Sequence, residues 1–153
     1  SMGTCLAVMA MPCSYSMTKH TVYLALGANV GDRRTTMLRA IDRINELIGT
    51  VERQSVFYET EPWGFASAHR FLNACVRVST TLSPRQLLAA TQQIERALGR
   101  TAKSAGGVYH DRVIDIDILL YDDLRVDEPD LKIPHPLMAE RDFVMIPLRE
   151  ILG

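Results

Sequence analysis

The stretch Val113–Tyr121, Val-Ile-Asp-Ile-Asp-Ile-Leu-Leu-Tyr, constrains the fold more than any other part of the chain. Aliphatic and acidic residues alternate along it, and a period of two marks a β-strand with unlike faces. Ile114, Ile116, Ile118 and Leu120 are expected to face the core, while Asp115 and Asp117 share the opposite face.

The rest of the chain supplies partners for such a strand. Thr21–Leu26 reads as a strand ending at Gly27. Gly31-Asp32 opens a helix: Asp32 caps it, Met37, Ile41, Ile44 and Ile48 recur at helical spacing, and Gly49 is the expected C-terminal stop. A strand is expected over Val51–Thr60, a loop at Glu61-Pro62-Trp63-Gly64, and another strand over Phe71–Thr81. Ser83-Pro84-Arg85-Gln86 combines a Ser cap, Pro at the first helical position and Gln three residues after the cap. The helix it starts should run to about Leu98, with Leu87, Thr91, Ile94 and Leu98 inward and Gly99 as terminator. Arg100–Arg112 is polar and reads as a long loop; after Val113–Tyr121 come Pro134-His135-Pro136, a short helix near Leu137–Arg141 and a final apolar piece. Strand, helix, strand, strand, helix, strand is the split βαβ order of a ferredoxin-like α+β sandwich, with helices packed on a largely antiparallel sheet.

A chain of 153 residues with 47% apolar content fits one domain, expected over residues 17–153 after a disordered extension of residues 1–16. A secretory leader is not expected there, because no Lys or Arg precedes Lys19, and no stretch is long enough for a transmembrane helix. The 17 basic and 18 acidic residues nearly cancel, which argues against nucleic acid or an anionic membrane as partner. Cys5, Cys13 and Cys75 form no CxxC pair, so a reducing compartment, the cytoplasm, is expected.

Two strand residues span roughly 6.6 Å, a separation from which Asp115 and Asp117 reach one Mg²⁺ or a pair of ions. The same spacing suits two acids that merely solvate the outer face of a sheet. The preceding loop gathers Arg100, Lys103, His110 and Arg112, cations of the kind that polyphosphate needs, and Gly106-Gly107 lets it act as a lid. An ordinary solvated loop has the same composition. On Phe71–Val78, alternation sets Leu72, Ala74, Val76 and Val78 inward and Phe71, Asn73 and Cys75 outward. Phe71 with Asn73 suits a flat heterocycle, stacked and hydrogen-bonded at its edge, or else Phe71 fills a second core layer. Gln92 and Glu95 lie three apart on one helix stripe, fit to act together or simply to meet solvent. Gly27-Ala28-Asn29-Val30-Gly31 lacks the signatures of nucleotide-binding loops and reads as a turn and helix cap. His135, between two prolines, is placed to contact phosphate or to serve as a turn histidine, and the four histidines show no zinc spacing.

Together, Tyr109-His110-Asp111-Arg112-Val113-Ile114-Asp115-Ile116-Asp117-Ile118-Leu119 resembles the signature of the 6-hydroxymethyl-7,8-dihydropterin pyrophosphokinases of folate synthesis. Leu26–Asp32, Glu59–Gly64, Phe71–Ala74, Gln92–Glu95 with Gly99-Arg100, and Pro134–Pro136 leading to Arg141 and Phe143 agree in order and approximate spacing. The resemblance covers the chain from about Thr21 onward. It implies a ferredoxin-like fold with an added layer, transfer of diphosphate from ATP to the hydroxymethyl group with release of AMP, and two Mg²⁺ ions on Asp115 and Asp117. It implies a pterin held between Phe71 and Phe143, hydrogen-bonded by Thr60 and Asn73 and walled by Pro62 and Trp63. ATP would meet Gln92, Glu95, Lys103, Tyr109, Arg112, Ile118, His135 and Arg141, with Arg100 and Arg112 holding the diphosphate in transfer. A monomer is expected. Where some members place Arg before the Pro-His element, this chain has Asp130. Two rivals are a different Mg²⁺-dependent enzyme, such as a nucleotidyltransferase or phosphodiesterase, using the same Asp pair, and a non-catalytic ferredoxin-like binding module, for RNA for example.

Overall fold

The structure is a computed structural model of the 153-residue chain and describes residues 18–60, 70–99 and 113–152. The expected extension 1–16, the loop at 61–64 and the loop 100–112 lie outside the described residues.

The elements are β1 (His20–Ala28), α1 (Arg33–Leu47), β2 (Gly49–Gln54), β3 (Tyr58–Thr60), β4 (Phe71–Thr80), α2 (Pro84–Ala97), β5 (Asp115–Tyr121), β6 (Val126–Glu128), β7 (Leu131–Ile133) and α3 (Asp142–Ile151). The main sheet runs β2-β4-β1-β5, with β3 also paired to β4, and every pairing is antiparallel. Taking β2 and β3 as one interrupted strand, this is the ferredoxin-like order. The expected single strand over 51–60 is therefore two, separated at Ser55–Phe57, where the buried Ser55 hydroxyl accepts the Cys75 N–H at 3.0 Å in place of regular pairing.

Both early helices start where side-chain caps place them. Asp32 accepts the Thr35 N–H at 3.2 Å, and Ser83 and Gln86 form a reciprocal capping box ahead of Pro84. Met37, Ala40 and Ile44 of α1 and Leu87 and Ile94 of α2 join Val22, Leu24, Leu26, Ala74, Val76, Val78, Ile114, Ile116 and Ile118 in one core. Gly99 takes the expected left-handed turn, φ 113°. Gly49 does not serve as that kind of stop. It opens β2, where an added Cβ would meet the Ser79 carbonyl oxygen at 2.0 Å, so glycine is needed for close strand approach.

Leu120 departs from the expected inward stripe. Tyr23 pairs with Leu120 and Leu24 with Ile118, so Leu119 is an extra residue in β5. The bulge moves Leu119 and Leu120 to the second face and returns Tyr121 to the first core. That second face is covered by α3: Val144, Leu148 and Ile151 pack on Tyr23, Cys75 and Leu119. The final apolar piece is thus a helix, while the short helix expected near 137–141 is a 3-10 turn over Met138–Glu140. The β6–β7 hairpin was not expected; Leu131 and Ile133 extend the first core from it. Burial pushes the Cys75 thiol up to about 12, as for an inert core cysteine, and it forms no disulfide.

Candidate active site

β5 ends the described strand order, and its outer edge is held by two different segments. Glu95 of α2 accepts the Ile116 N–H on Oε2 at 2.8 Å, and the His135 N–H donates to the Leu119 carbonyl at 3.1 Å. A carboxylate is a strong acceptor for an edge amide that would otherwise lose its partner on burial. These ties set α2 and the Pro-His-Pro segment along the strand that carries Asp115 and Asp117.

The result is a cleft of about 450 Å³ bordered by Gln92, Glu95, Asp115, Asp117, His135 and Arg141, with Leu88 and Thr91 on its apolar side. A neighbouring cavity of about 270 Å³ shares Leu88, Ile116, Asp117 and His135 and continues past Ile118 to Asp130 and Lys132. Gln92 and Glu95 both border the cleft but differ in burial: Gln92 is exposed, whereas Glu95 is 8% exposed and bonded to β5. Asp130 is engaged by Arg85, which forks onto its two carboxylate oxygens at 2.9 and 2.8 Å and also bonds Glu128. The Arg85 guanidinium holds the Asp130 carboxyl below the usual carboxylate range, so Asp130 fastens the β6–β7 hairpin to α2.

His135 is half-buried. Burial lowers its pKa, the positive charge of Arg141 acts in the same direction, and Asp115 opposes both. Its Nδ1 accepts the Leu137 N–H at 3.3 Å, which leaves the ring proton of the neutral form on Nε2. His135 is therefore a turn histidine that also borders the cleft, in surroundings that favour its neutral form. Arg141 is buried, 6% exposed, with its guanidinium carbon 5.7 Å from the centre of the Phe143 ring.

Strand register places a second group beside the acids on the α3 side of the sheet. Asn73 pairs with Gly27, which pairs with Asp115; Cys75 pairs with Ala25, which pairs with Asp117. Asn73 Nδ2 donates to Thr60 Oγ1 at 2.5 Å, and Phe71 is opposite Thr60 in the β3–β4 ladder. An added Cβ at Gly27 would stand 3.0 Å from Asn73 Oδ1 and 3.6 Å from the Phe71 ring. Gly27 thus keeps open the floor between Asn73, Phe71 and Asp115. Sequence reading assigned it to a turn; the usable signal was its position inside the strand, where glycine often marks a close approach. Phe143, from α3, packs on the cluster of this same face.

Among the described residues, no group of three or more His, Cys, Asp or Glu side chains converges on a metal position. Two half-buried carboxylates on one strand face still suit Mg²⁺, which usually takes one or two carboxylates and completes its shell with phosphate oxygens and water. Among the expected site residues, Pro62, Trp63, Arg100, Lys103, Tyr109 and Arg112 lie outside the described residues, as do His110 and Gly106-Gly107.

The sequence profile of the family "7,8-dihydro-6-hydroxymethylpterin-pyrophosphokinase (HPPK)" matches residues 23–153. The chain is 53% identical over 131 residues to a 2-amino-4-hydroxy-6-hydroxymethyldihydropteridine pyrophosphokinase of Porphyromonas gingivalis, covering 85% of this chain and 89% of that protein. It is 43% identical over 131 residues to the protein of the same name from Aquifex aeolicus, covering 86% of this chain and 79% of that one. Among solved structures, Plasmodium falciparum HPPK-DHPS superposes with a TM-score of 0.67 at 15% identity, over 88% of this chain and 40% of the other. At that identity the likeness concerns the fold, and this chain spans two-fifths of the solved protein's length.

Proposed function

The chain belongs to the 7,8-dihydro-6-hydroxymethylpterin pyrophosphokinase family, and we propose that Asp115, Asp117 and the cleft around them carry its transfer of diphosphate from ATP to 6-hydroxymethyl-7,8-dihydropterin in folate synthesis. The observation that supports this reading above all others is the shared row of Asn73, Gly27 and Asp115, which sets an amide and a small residue next to a carboxylate pair. The reaction forms a bond between the hydroxymethyl oxygen and the β-phosphorus, breaks the bond from that phosphorus to the oxygen bridging the α-phosphate, and releases AMP.

Enzymes of this kind are ATP-using and generally need Mg²⁺; two ions on Asp115 and Asp117 are our finer assignment. Asp115 and Asp117 would hold the cation, which would supply positive charge against that on the phosphates. Asp115 and Asp117 hold the cation side of the site, and neighbouring Ile116 is fixed by Glu95, so their spacing is set by a tied backbone. In its neutral form His135 would offer its Nε2–H to a phosphate, and the buried Arg141 brings positive charge to the same cleft. Gln92 and Glu95 border the nucleotide, with Ile118 in the adjoining cavity. Arg100 and Arg112 hold the diphosphate as it moves, and Lys103 and Tyr109 complete the nucleotide side. Thr60 and Asn73 read the pterin edge, Phe71 and Phe143 stack on its faces, and Pro62 and Trp63 wall it. Holding both substrates in line removes orientational entropy, which contributes up to ~7–11 kcal/mol in ideal cases. No side chain is assigned as general base.

We further take the protein to act as a monomer in the cytosol. The buried free thiol of Cys75 suits a reducing compartment, and among the described residues no helix is long and apolar enough to cross a membrane. The deciding assay mixes the protein, Mg-ATP and the reduced hydroxymethyl pterin and resolves AMP from ADP. Pterin-dependent AMP is expected; ADP, or AMP formed with water alone, would replace this reading with ordinary kinase or hydrolase chemistry.

A further inference from the structure

At the first residue of α1, Arg33 cross-links the two strands that carry the proposed pterin slot. Its Nη2 donates to Glu59 Oε2 at 2.6 Å, and its Nη1 to the Arg70 carbonyl at 2.8 Å. Glu59 precedes Thr60 on β3, and Arg70 precedes Phe71 at the start of β4. A second contact, Arg70 Nη1 to Glu59 Oε1 at 3.9 Å, closes the group.

We propose that Arg33 is a positioning residue for the pterin, fixing the Thr60–Phe71 end of the β3–β4 pair so that Thr60, Phe71 and Asn73 meet the ring together. The inference rests on the pterin assignment made above. β3 has three residues and pairs with β4 through Tyr58–Asn73, Glu59–Leu72 and Thr60–Phe71. So short a strand needs outside support. Its first residue is held from α3, where Glu150 accepts the Tyr58 hydroxyl at 2.5 Å and the Val56 N–H at 3.1 Å. Its far end is held from α1 by Arg33. Arg33 reaches the Glu59 carboxylate and the Arg70 carbonyl from two separate nitrogens of one rigid fork, a span that a single Lys ammonium nitrogen does not reproduce.

The Arg33 and Glu59 side chains are 30% and 46% exposed, and exposed ion pairs contribute little to global stability. The effect of losing Arg33 should therefore appear in the pterin site and not in the fold. A slot displaced by a fraction of an ångström loses affinity steeply, because stacking and edge contacts must form together.

The test compares the full chain with Arg33→Ala, Arg33→Lys, Glu59→Gln and Asn73→Ala, titrated separately with 6-hydroxymethylpterin and with Mg²⁺ plus α,β-methylene-ATP. Arg33→Ala should weaken pterin binding about 10-fold and leave nucleotide affinity and melting temperature unchanged. Arg33→Lys should recover only part of the loss, and Arg33→Ala with Glu59→Gln should cost less than the two losses combined. Equal loss of pterin and nucleotide affinity overturns the proposal. So does full pterin affinity in Arg33→Ala when Asn73→Ala has lost it, an outcome that spares the slot itself. If Asn73→Ala also binds pterin normally, the slot assignment falls, and the role of Arg33 falls with it.

Discussion

The two faces of the sheet use the same strands for unlike purposes. On the α1–α2 face, Val22, Leu24, Leu26, Ala74, Val76, Val78, Ile114, Ile116 and Ile118 meet two helices in a continuous apolar layer. On the α3 face, apolar packing around Tyr23, Cys75 and Leu119 covers only part of the sheet, and Asp115, Asp117, Asn73 and Gly27 occupy other positions of that face. Because successive strand residues alternate, one segment can be fully committed to stability and to chemistry at once. Residues of the first face should control stability, and those of the second, beyond the α3 patch, should control substrates.

Neighbouring substitutions in β5 test that division most strongly. Asp115→Ala or Asp117→Ala should lower turnover by ~10³-fold at saturating Mg²⁺ with unfolding midpoints nearly unchanged. Ile116→Ala, one residue away, should cost about 2–5 kcal/mol in denaturant titration, because it opens a cavity in the first core. If an Asp variant keeps its activity, or proves as unstable as Ile116→Ala, the two faces are not divided in this way.

A smaller effect is expected at Gly27. The methyl group of Gly27→Ala would crowd Asn73 Oδ1 and approach the Phe71 ring, so pterin affinity measured by calorimetry should drop about 10-fold while affinity for a nucleotide analogue holds. Unchanged pterin binding would place the ring elsewhere.

The smallest effect concerns pH. Burial depresses the His135 pKa, so the unfolded chain binds this proton more readily than the fold does. The associated stability is present above the ordinary value of 6.5 and is lost as pH falls through the lower folded value. His135→Gln should therefore show a shallower decline in melting temperature between about pH 7 and pH 5.5 than the parent protein. Parallel declines would mean that His135 is not held neutral.

Elements that depend on neighbouring residues were legible in the sequence. The caps at Asp32 and Ser83 lie within three residues of the amides they bond, and the alternation in β5 announces two faces at once. The acids, Asn73, Phe71 and His135 could be singled out because carboxylate, amide, ring and imidazole chemistry is read from residue type. What stayed hidden was what covers or supports them. Nothing near Leu119 announces a bulge that shifts Leu120 off the core, and nothing near Glu95 announces an amide 21 positions away. Gly27 looked like a turn because its significance lies in Asn73 and Asp115 on flanking strands.

By itself, then, the sequence determined the succession of the main strands and helices, the starts of α1 and α2 and the carboxylate pair, since capping and a period of two act over a few residues. Tertiary structure alone decided that α3 would cover the second face, that Glu95 would tie down the edge of β5, and that Gly27 would leave room beside Asn73 and Phe71. Those outcomes depend on contacts such as Cys75 with Val144, 69 residues apart, whose partners meet only after the chain has closed.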